Sequence, residues 1–177
     1  MTLAINDPAP RLELPDTAGE PHTLPLPGEA PAAVVVWTCN HCPYALAWHD
    51  RIQAVAREYG ERGVRFLQVN SNDAERYAAD SLDEMRTRAE AGEFASPYLH
   101  DSEQEVAHAF GAERTPHVFV LDSSLRLAYT GAPDADHDDP SQEASWLRGA
   151  LDAVLRGDLP DPAETEAVGC SLKWKAT

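Results

Sequence analysis

The sequence predicts an α/β protein with a central mixed β-sheet flanked by helices, and three observations carry that prediction. A β-branched run, Ala32–Thr38, is followed by a segment of helical period and then by a second β-branched run, Val64–Val69. That order is a β-α-β crossover, which makes parallel neighbours. Two later short runs, Val118–Leu121 and Leu125–Tyr129, flank Asp122-Ser123-Ser124, a spacing that suits an antiparallel hairpin. With 177 residues, 43% of them hydrophobic and 25% charged, the chain has the size and composition of one domain spanning 1–177.

Residues 1–30 are rich in proline and glycine around the apolar pieces Arg11–Leu14 and His22–Leu26, which predicts an N-terminal β-hairpin extension ahead of the core. Ala32–Thr38 is continuously apolar, as expected of a strand buried on both faces. From Ala45 the apolar residues recur at Trp48, Ile52, Val55 and Tyr59, one face of a helix, with Gly60 as its stop. Ser81 with Glu84 makes a capping-box pattern ahead of Leu82, Met85 and Ala89. Ser102 with Glu105 repeats it ahead of Val106 and Phe110, and Gly111 closes that helix. Ala132–Pro140 reads as an acidic, solvated loop. A last helix is expected over about 141–156, with Leu147, Ala150, Leu151 and Val154 on one face and Gly157 after it, and 158–177 reads as a C-terminal tail.

Acidic residues outnumber basic ones by 30 to 14, a formal charge of −16, and only Lys173 and Lys175 are lysines. Phosphate backbones and anionic lipid surfaces would repel such a chain, so neither nucleic acid nor membrane is expected as a partner. No run approaches the roughly 20 apolar residues that span a bilayer. The N-terminus lacks the basic and apolar regions of a secretion signal, which points to the cytoplasm. Three cysteines, at 39, 42 and 170, do not make a secreted disulfide framework; in a reducing compartment a close pair points to catalysis or metal.

Trp37-Thr38-Cys39-Asn40-His41-Cys42-Pro43 places that pair where a buried strand passes into a helix. Unpaired N–H groups and the positive end of the helix dipole favour an anion there, which nominates Cys39 as nucleophile and Cys42 as the resolving thiol. An imidazole at His41 would favour the thiolate further. A stabilised reduced form makes a stronger oxidant, so the reduction potential is expected above thioredoxin's value of roughly −270 mV. Thr115-Pro116 stands at the entrance of a strand, a place that tolerates proline, and the adjoining His117 is read as a packed or exposed residue rather than a catalytic one. Cys170 is open to three readings: an accessory thiol, a cross-link point between chains, or an inert cysteine in a tail packed by Trp174.

Five segments together resemble the thioredoxin-fold superfamily in its peroxiredoxin-like (AhpC/TSA-type) branch: Ala9-Pro10-Arg11-Leu12-Glu13-Leu14, Cys39-Asn40-His41-Cys42-Pro43-Tyr44, Asn70-Ser71-Asn72-Asp73-Ala74-Glu75, Thr115-Pro116, and Gly169-Cys170-Ser171-Leu172-Lys173-Trp174-Lys175. The resemblance implies a thioredoxin-like fold, a cis Pro116 against the cysteine pair, and a backbone at Thr115 that aligns an incoming chain. It also departs from the family. Val36 and Ala32 stand where peroxiredoxins have Thr and Pro ahead of the peroxidatic cysteine, Arg114 is the only candidate for their arginine, and Ala33 stands near where thioredoxins bury an acid.

The leading function is a thiol–disulfide oxidoreductase that cycles Cys39 and Cys42, needs no cofactor or metal, and works on protein or small-molecule thiols and disulfides. Its reductant would be thioredoxin or a low-molecular-weight thiol. The alternatives are a thiol peroxidase in which Cys39 becomes a sulfenic acid, a copper or zinc metallochaperone using Cys39, Cys42 and a histidine, and a non-catalytic binding domain.

Overall fold

In the computed structural model, which describes residues 2–177, the chain runs β1 (Glu13–Pro15), β2 (Pro21–Thr23), β3 (Ala32–Trp37), α1 (Pro43–Gly60), β4 (Arg65–Asn70), α2 (Leu82–Glu90), β5 (Tyr98–His100), α3 (Glu105–Phe110), β6 (Arg114–Thr115), β7 (His117–Asp122), β8 (Leu127–Gly131), α4 (Ser145–Arg156) and β9 (Cys170–Ser171). The central sheet has the order β5-β4-β3-β7-β8, with β3, β4 and β5 parallel and β7 and β8 antiparallel. Tyr98–His100 is too short to announce itself as a strand in the sequence; it forms because the edge of β4 is free to accept it. The expected N-terminal hairpin is β1 paired with β2.

Alternation along β3 divides the core in two. Ala32, Val34 and Val36 face Trp48, Ile52 and Val55 of α1 and Leu147 and Leu151 of α4. Ala33, Val35 and Trp37 face Leu67, Val69, Phe119 and the α3 residues Ala107 and Phe110, and Leu12 and Leu172 seal that side. Helices therefore cover both faces, and β3 ends in the middle of the molecule at Trp37, whose indole N–H donates to Ser71 Oγ at 2.9 Å.

Helix ends test the capping readings. Ser81 Oγ accepts from Glu84 N at 3.2 Å, the N-cap half of a capping box, while Ser81 N donates to Ala78 O at 3.1 Å rather than to the Glu84 side chain. Ser102 does not cap α3; Gln104 stands at the N-cap in a left-handed conformation, and Asp101 Oδ2 reaches from behind to accept from Ala107 N at 2.9 Å. A carboxylate is the stronger acceptor for those free N–H groups, and Asp101 is already anchored by Ser71 Oγ at 2.7 Å. The last helix begins at Ser145 rather than near 141, because Pro140–Gln142 forms a separate 3₁₀ turn.

The segment Ala132–Pro140 is not wholly solvated. Ala132 and Asp134 are buried. Asp134 accepts from Arg51 Nη1 at 2.8 Å, Trp48 Nε1 at 2.8 Å and Ala144 N at 2.9 Å, so it ties α1 to the start of α4. Paired and hydrogen-bonded in this way, two buried charges are tolerated where either alone would not be.

His117 is packed, as expected, rather than turned to the cysteines. Its Nδ1 accepts from Glu113 N at 3.2 Å and its Nε2 donates to Thr130 Oγ1 at 3.2 Å, which sets the neutral tautomer. Burial pushes its pKa down from 6.5 to about 4. Below pH 6.5 the unfolded chain binds a proton that folded His117 refuses until about pH 4, so stability is lost as pH falls through that window, at about 1.4 kcal/mol per pH unit. Urea melts at pH 7 and pH 4.5 check this: His117→Asn should lose less stability between them than the unmutated chain.

Candidate active site

Cys39, Asn40 and His41 form the turn between β3 and α1, and Cys42 is the N-cap residue of α1, with Pro43 at the first helical position. Proline is suited to that place because its missing N–H would find no partner there. The helix therefore starts at the second cysteine, and Cys39 lies upstream of its N-terminal N–H groups. Cys39 and Cys42 are 1% and 0% exposed, so the first thiol is more enclosed than a freely accessible nucleophile would be.

The Thr115–Pro116 peptide is cis, as the resemblance implied, and Thr115 lies against both sulfurs. Its Oγ1 is 3.4 Å from Cys39 Sγ, and its carbonyl oxygen accepts from Cys42 Sγ at 3.2 Å. β7 runs antiparallel to β3 with Trp37 opposite His117, which carries Thr115 and Pro116 to the end of β3 from which Cys39 emerges.

The two thiols titrate as a pair. Their mutual hydrogen bond draws Cys42 down to about 4 and pushes Cys39 up, with burial and the charge of Asp80 adding to the rise at Cys39. These steps belong to the pair: the first proton leaves easily because the second then binds both sulfurs. One position for the pair's charge is Cys42, at the N-cap. The Thr115 carbonyl works against it there, since an oxygen 3.2 Å away attracts a proton and repels an anion. When the proton passes to Cys42, that carbonyl accepts it and Cys39 carries the charge beside the Thr115 hydroxyl.

A buried carboxylate organises the turn, and nothing in the sequence marks it. Asp80, in a 3₁₀ turn after β4, is 0% exposed. It accepts from Asn40 N at 2.6 Å, His41 Nδ1 at 2.5 Å, Asn70 Nδ2 at 3.1 Å and Asn72 Nδ2 at 3.0 Å. The Asn70–Asn72 segment, quoted above only for its resemblance, is thus the brace that holds this acid. The buried acid beside this turn thus comes from a different element than the strand position near Ala33. His41 stacks on Tyr77 with ring centroids 5.5 Å apart and turns its Nδ1 to Asp80. The positive charge invoked to raise the reduction potential therefore faces a carboxylate, which offsets it.

Two more residues were missed. Tyr98 OH donates to Asn40 Oδ1 at 2.8 Å. Arg88 of α2 donates to the same oxygen at 2.8 Å and reaches the Cys39 carbonyl at 3.5 Å. Arg88, not Arg114, is the arginine beside the cysteine turn; Arg114 lies exposed in β6, opposite Ser171. Only their distance in sequence hid them.

Cys39, His41 and Asp80 each offer a ligand atom, all within 4.8 Å of one another. Both Asp80 oxygens and His41 Nδ1 are committed to the hydrogen bonds above, so a metal there would have to break the network that shapes the turn. Cys170 joins the site: it packs against Cys39, Cys42 and Ala45, opposite Thr115 in the β6–β9 pair.

The AhpC/TSA family model matches residues 5–130. The crystal structure of a hypothetical protein from Sinorhizobium meliloti is 31% identical with a TM-score of 0.93, covering 100% of this chain and 98% of that one. An uncharacterized conserved protein from Geobacillus kaustophilus is 34% identical with a TM-score of 0.90, covering 99% and 95%. The peroxidoxin BcpB from Mycobacterium tuberculosis shares the fold at 21% identity, with a TM-score of 0.63 over 88% of this chain and 97% of that one. No curated protein matches the chain in sequence.

Proposed function

The chain belongs to the AhpC/TSA family and is an oxidoreductase, and from that premise we propose that it is a thiol–disulfide oxidoreductase cycling Cys39 and Cys42. The observation that carries this reading is that both thiols, one turn apart, meet the same residue at the Thr115–Pro116 peptide: Cys39 Sγ lies 3.4 Å from the Thr115 hydroxyl, and Cys42 Sγ donates to the Thr115 carbonyl at 3.2 Å. Cys39 Sγ⁻ attacks one sulfur of an incoming disulfide, and the departing thiolate takes a proton. Cys42, deprotonated in turn, attacks Cys39 Sγ, the second thiolate leaves, and the chain holds a Cys39–Cys42 disulfide. Two electrons have passed to the substrate, and a thiol reductant reverses the steps.

Cys42, burial and Asp80 hold the Cys39 thiol above its ordinary range, and Thr115 Oγ1 and the His41 backbone N–H oppose them in favour of the anion. The test is oxidation by glutathione disulfide followed by peptide mapping. A Cys39–Cys42 link in monomeric protein is expected; two cysteines that remain alkylatable would overturn the reading.

The enclosure of Cys39 favours small substrates and so supports a second reading, a thiol peroxidase. Val36 is committed to the core, so the hydroxyl near the sulfur comes from Thr115 instead. Hydrogen peroxide should then form the disulfide well above the rate at which it oxidises free cysteine; an equal rate rejects this second reading alone.

A further inference from the structure

Three sulfurs, not two, converge at Thr115. β9 pairs antiparallel with β6, so that Cys170 stands opposite the residue whose hydroxyl and carbonyl meet Cys39 and Cys42. This is the backbone edge that the resemblance assigned to an incoming chain, and the protein's own tail occupies it.

The tail is fixed there. A Cβ on residue 169 would lie 2.2 Å from the Thr115 carbonyl oxygen, so only glycine lets the backbone come so near. Beyond Cys170, Leu172 N donates to Glu113 O at 3.0 Å and Lys173 N to Asn72 Oδ1 at 2.8 Å, and Leu172 is buried. Cys170 packs against the cluster of Cys39, Cys42 and Ala45, across from the residue whose carbonyl accepts from Cys42. Exposure separates the three: Cys39 and Cys42 are buried, and Cys170 is partly open to solvent.

We propose that Cys170 is a third redox thiol, which takes the disulfide over from the buried pair and presents it to a low-molecular-weight thiol at the surface. The proposal rests on the Cys39–Cys42 cycle. Cys170, having lost its proton to solvent, attacks Cys42 Sγ; the Cys42–Cys170 bond forms, the Cys39–Cys42 bond breaks, and Cys39 leaves as a thiolate that takes up a proton. No electrons are gained or lost in that exchange. A reductant thiolate then attacks Cys170 Sγ and expels Cys42 as a thiolate, and a second reductant thiol releases Cys170 from the mixed disulfide, so two electrons enter. Burial raises the Cys170 thiol, so the handover quickens as pH rises from neutrality.

The test uses the full chain and peptide mapping after alkylation. In Cys39→Ser, diamide should give an intramolecular Cys42–Cys170 disulfide in monomer, because a thiol held beside another has an effective concentration of about millimolar or more. In the oxidised unmutated chain, which keeps one free thiol, label should reach Cys39 as well as Cys170, and should do so faster at pH 9 than at pH 7. Oxidised Cys170→Ser should be reduced by glutathione about tenfold more slowly than the unmutated chain, since exchange rates follow access to the attacked sulfur. The proposal is overturned if Cys39→Ser links only between molecules and Cys170→Ser is reduced at the unmutated rate. If Cys170→Ser, folded by circular dichroism, cannot form a Cys39–Cys42 disulfide, the dithiol cycle itself fails.

Discussion

Replacing Asp80 by alanine should cost about 3–5 kcal/mol, the range for removing one partner from a buried charged network. The carboxylate is 0% exposed and accepts four hydrogen bonds, from Asn40 N, His41 Nδ1, Asn70 Nδ2 and Asn72 Nδ2. Alanine leaves all four donors without an acceptor in a place water does not fill readily. At about 2–4 °C per kcal/mol for a chain of this size, the melting temperature should fall by roughly 10 °C, and thermal melts followed by circular dichroism measure it. Asp80→Asn separates charge from shape. It keeps the volume and one acceptor but removes the negative charge that raises the Cys39 thiol. The reduced form is then stabilised, and a change of one pKa unit at that sulfur corresponds to about 30 mV. Equilibration with glutathione should show a higher potential for Asp80→Asn; an unchanged or lower one would mean that the carboxylate does not act on the sulfur.

Cys39→Ser should lower disulfide reductase activity on the order of a thousandfold or more, because an alcohol cannot replace the thiolate as nucleophile. Cys42→Ser should behave differently. It retains an attacking thiol but cannot resolve the mixed disulfide, so one equivalent of glutathione should stay bound at Cys39. It also removes the paired titration. In the unmutated chain the pair's first proton leaves below the usual thiol range, since the bond between the thiols draws Cys42 down to about 4. In Cys42→Ser the Cys39 thiol, followed by peptide mapping apart from Cys170, should titrate near or above the ordinary value of about 8.5, because burial raises it and its paired sulfur is gone. Alkylation rates across pH 4–10 read both values, and identical titrations would refute the pairing.

The parts of this molecule that were legible in the sequence are those governed by neighbours along the chain. The continuous β-branched runs at 32–38 and 64–69 marked two central strands, the spacing from Ala45 to Tyr59 marked α1, and Ser81 marked the start of α2. The Cys39–Cys42 pair was visible for the same reason: both residues sit in one turn. The errors lie where a distant group decided the outcome. Ser102 had the local pattern of a cap, and Asp101 won because Ser71 already held it in place. Asp134 looked like one more acid in a polar loop until Arg51 and Trp48, more than eighty residues earlier, folded onto it.

By itself, then, the sequence determined the α/β class, the principal strands and helices, and a dithiol at a strand–helix junction, all consequences of periodicity, capping and steric preference within a few residues. Only the tertiary structure decided which acid stands beside the sulfurs, which arginine approaches the turn, and that Cys170 comes to lie opposite Thr115. Charge and hydrogen bonding act through space, and a chain with 30 acidic residues carries no local mark of the one that burial will strip of water and surround with donors.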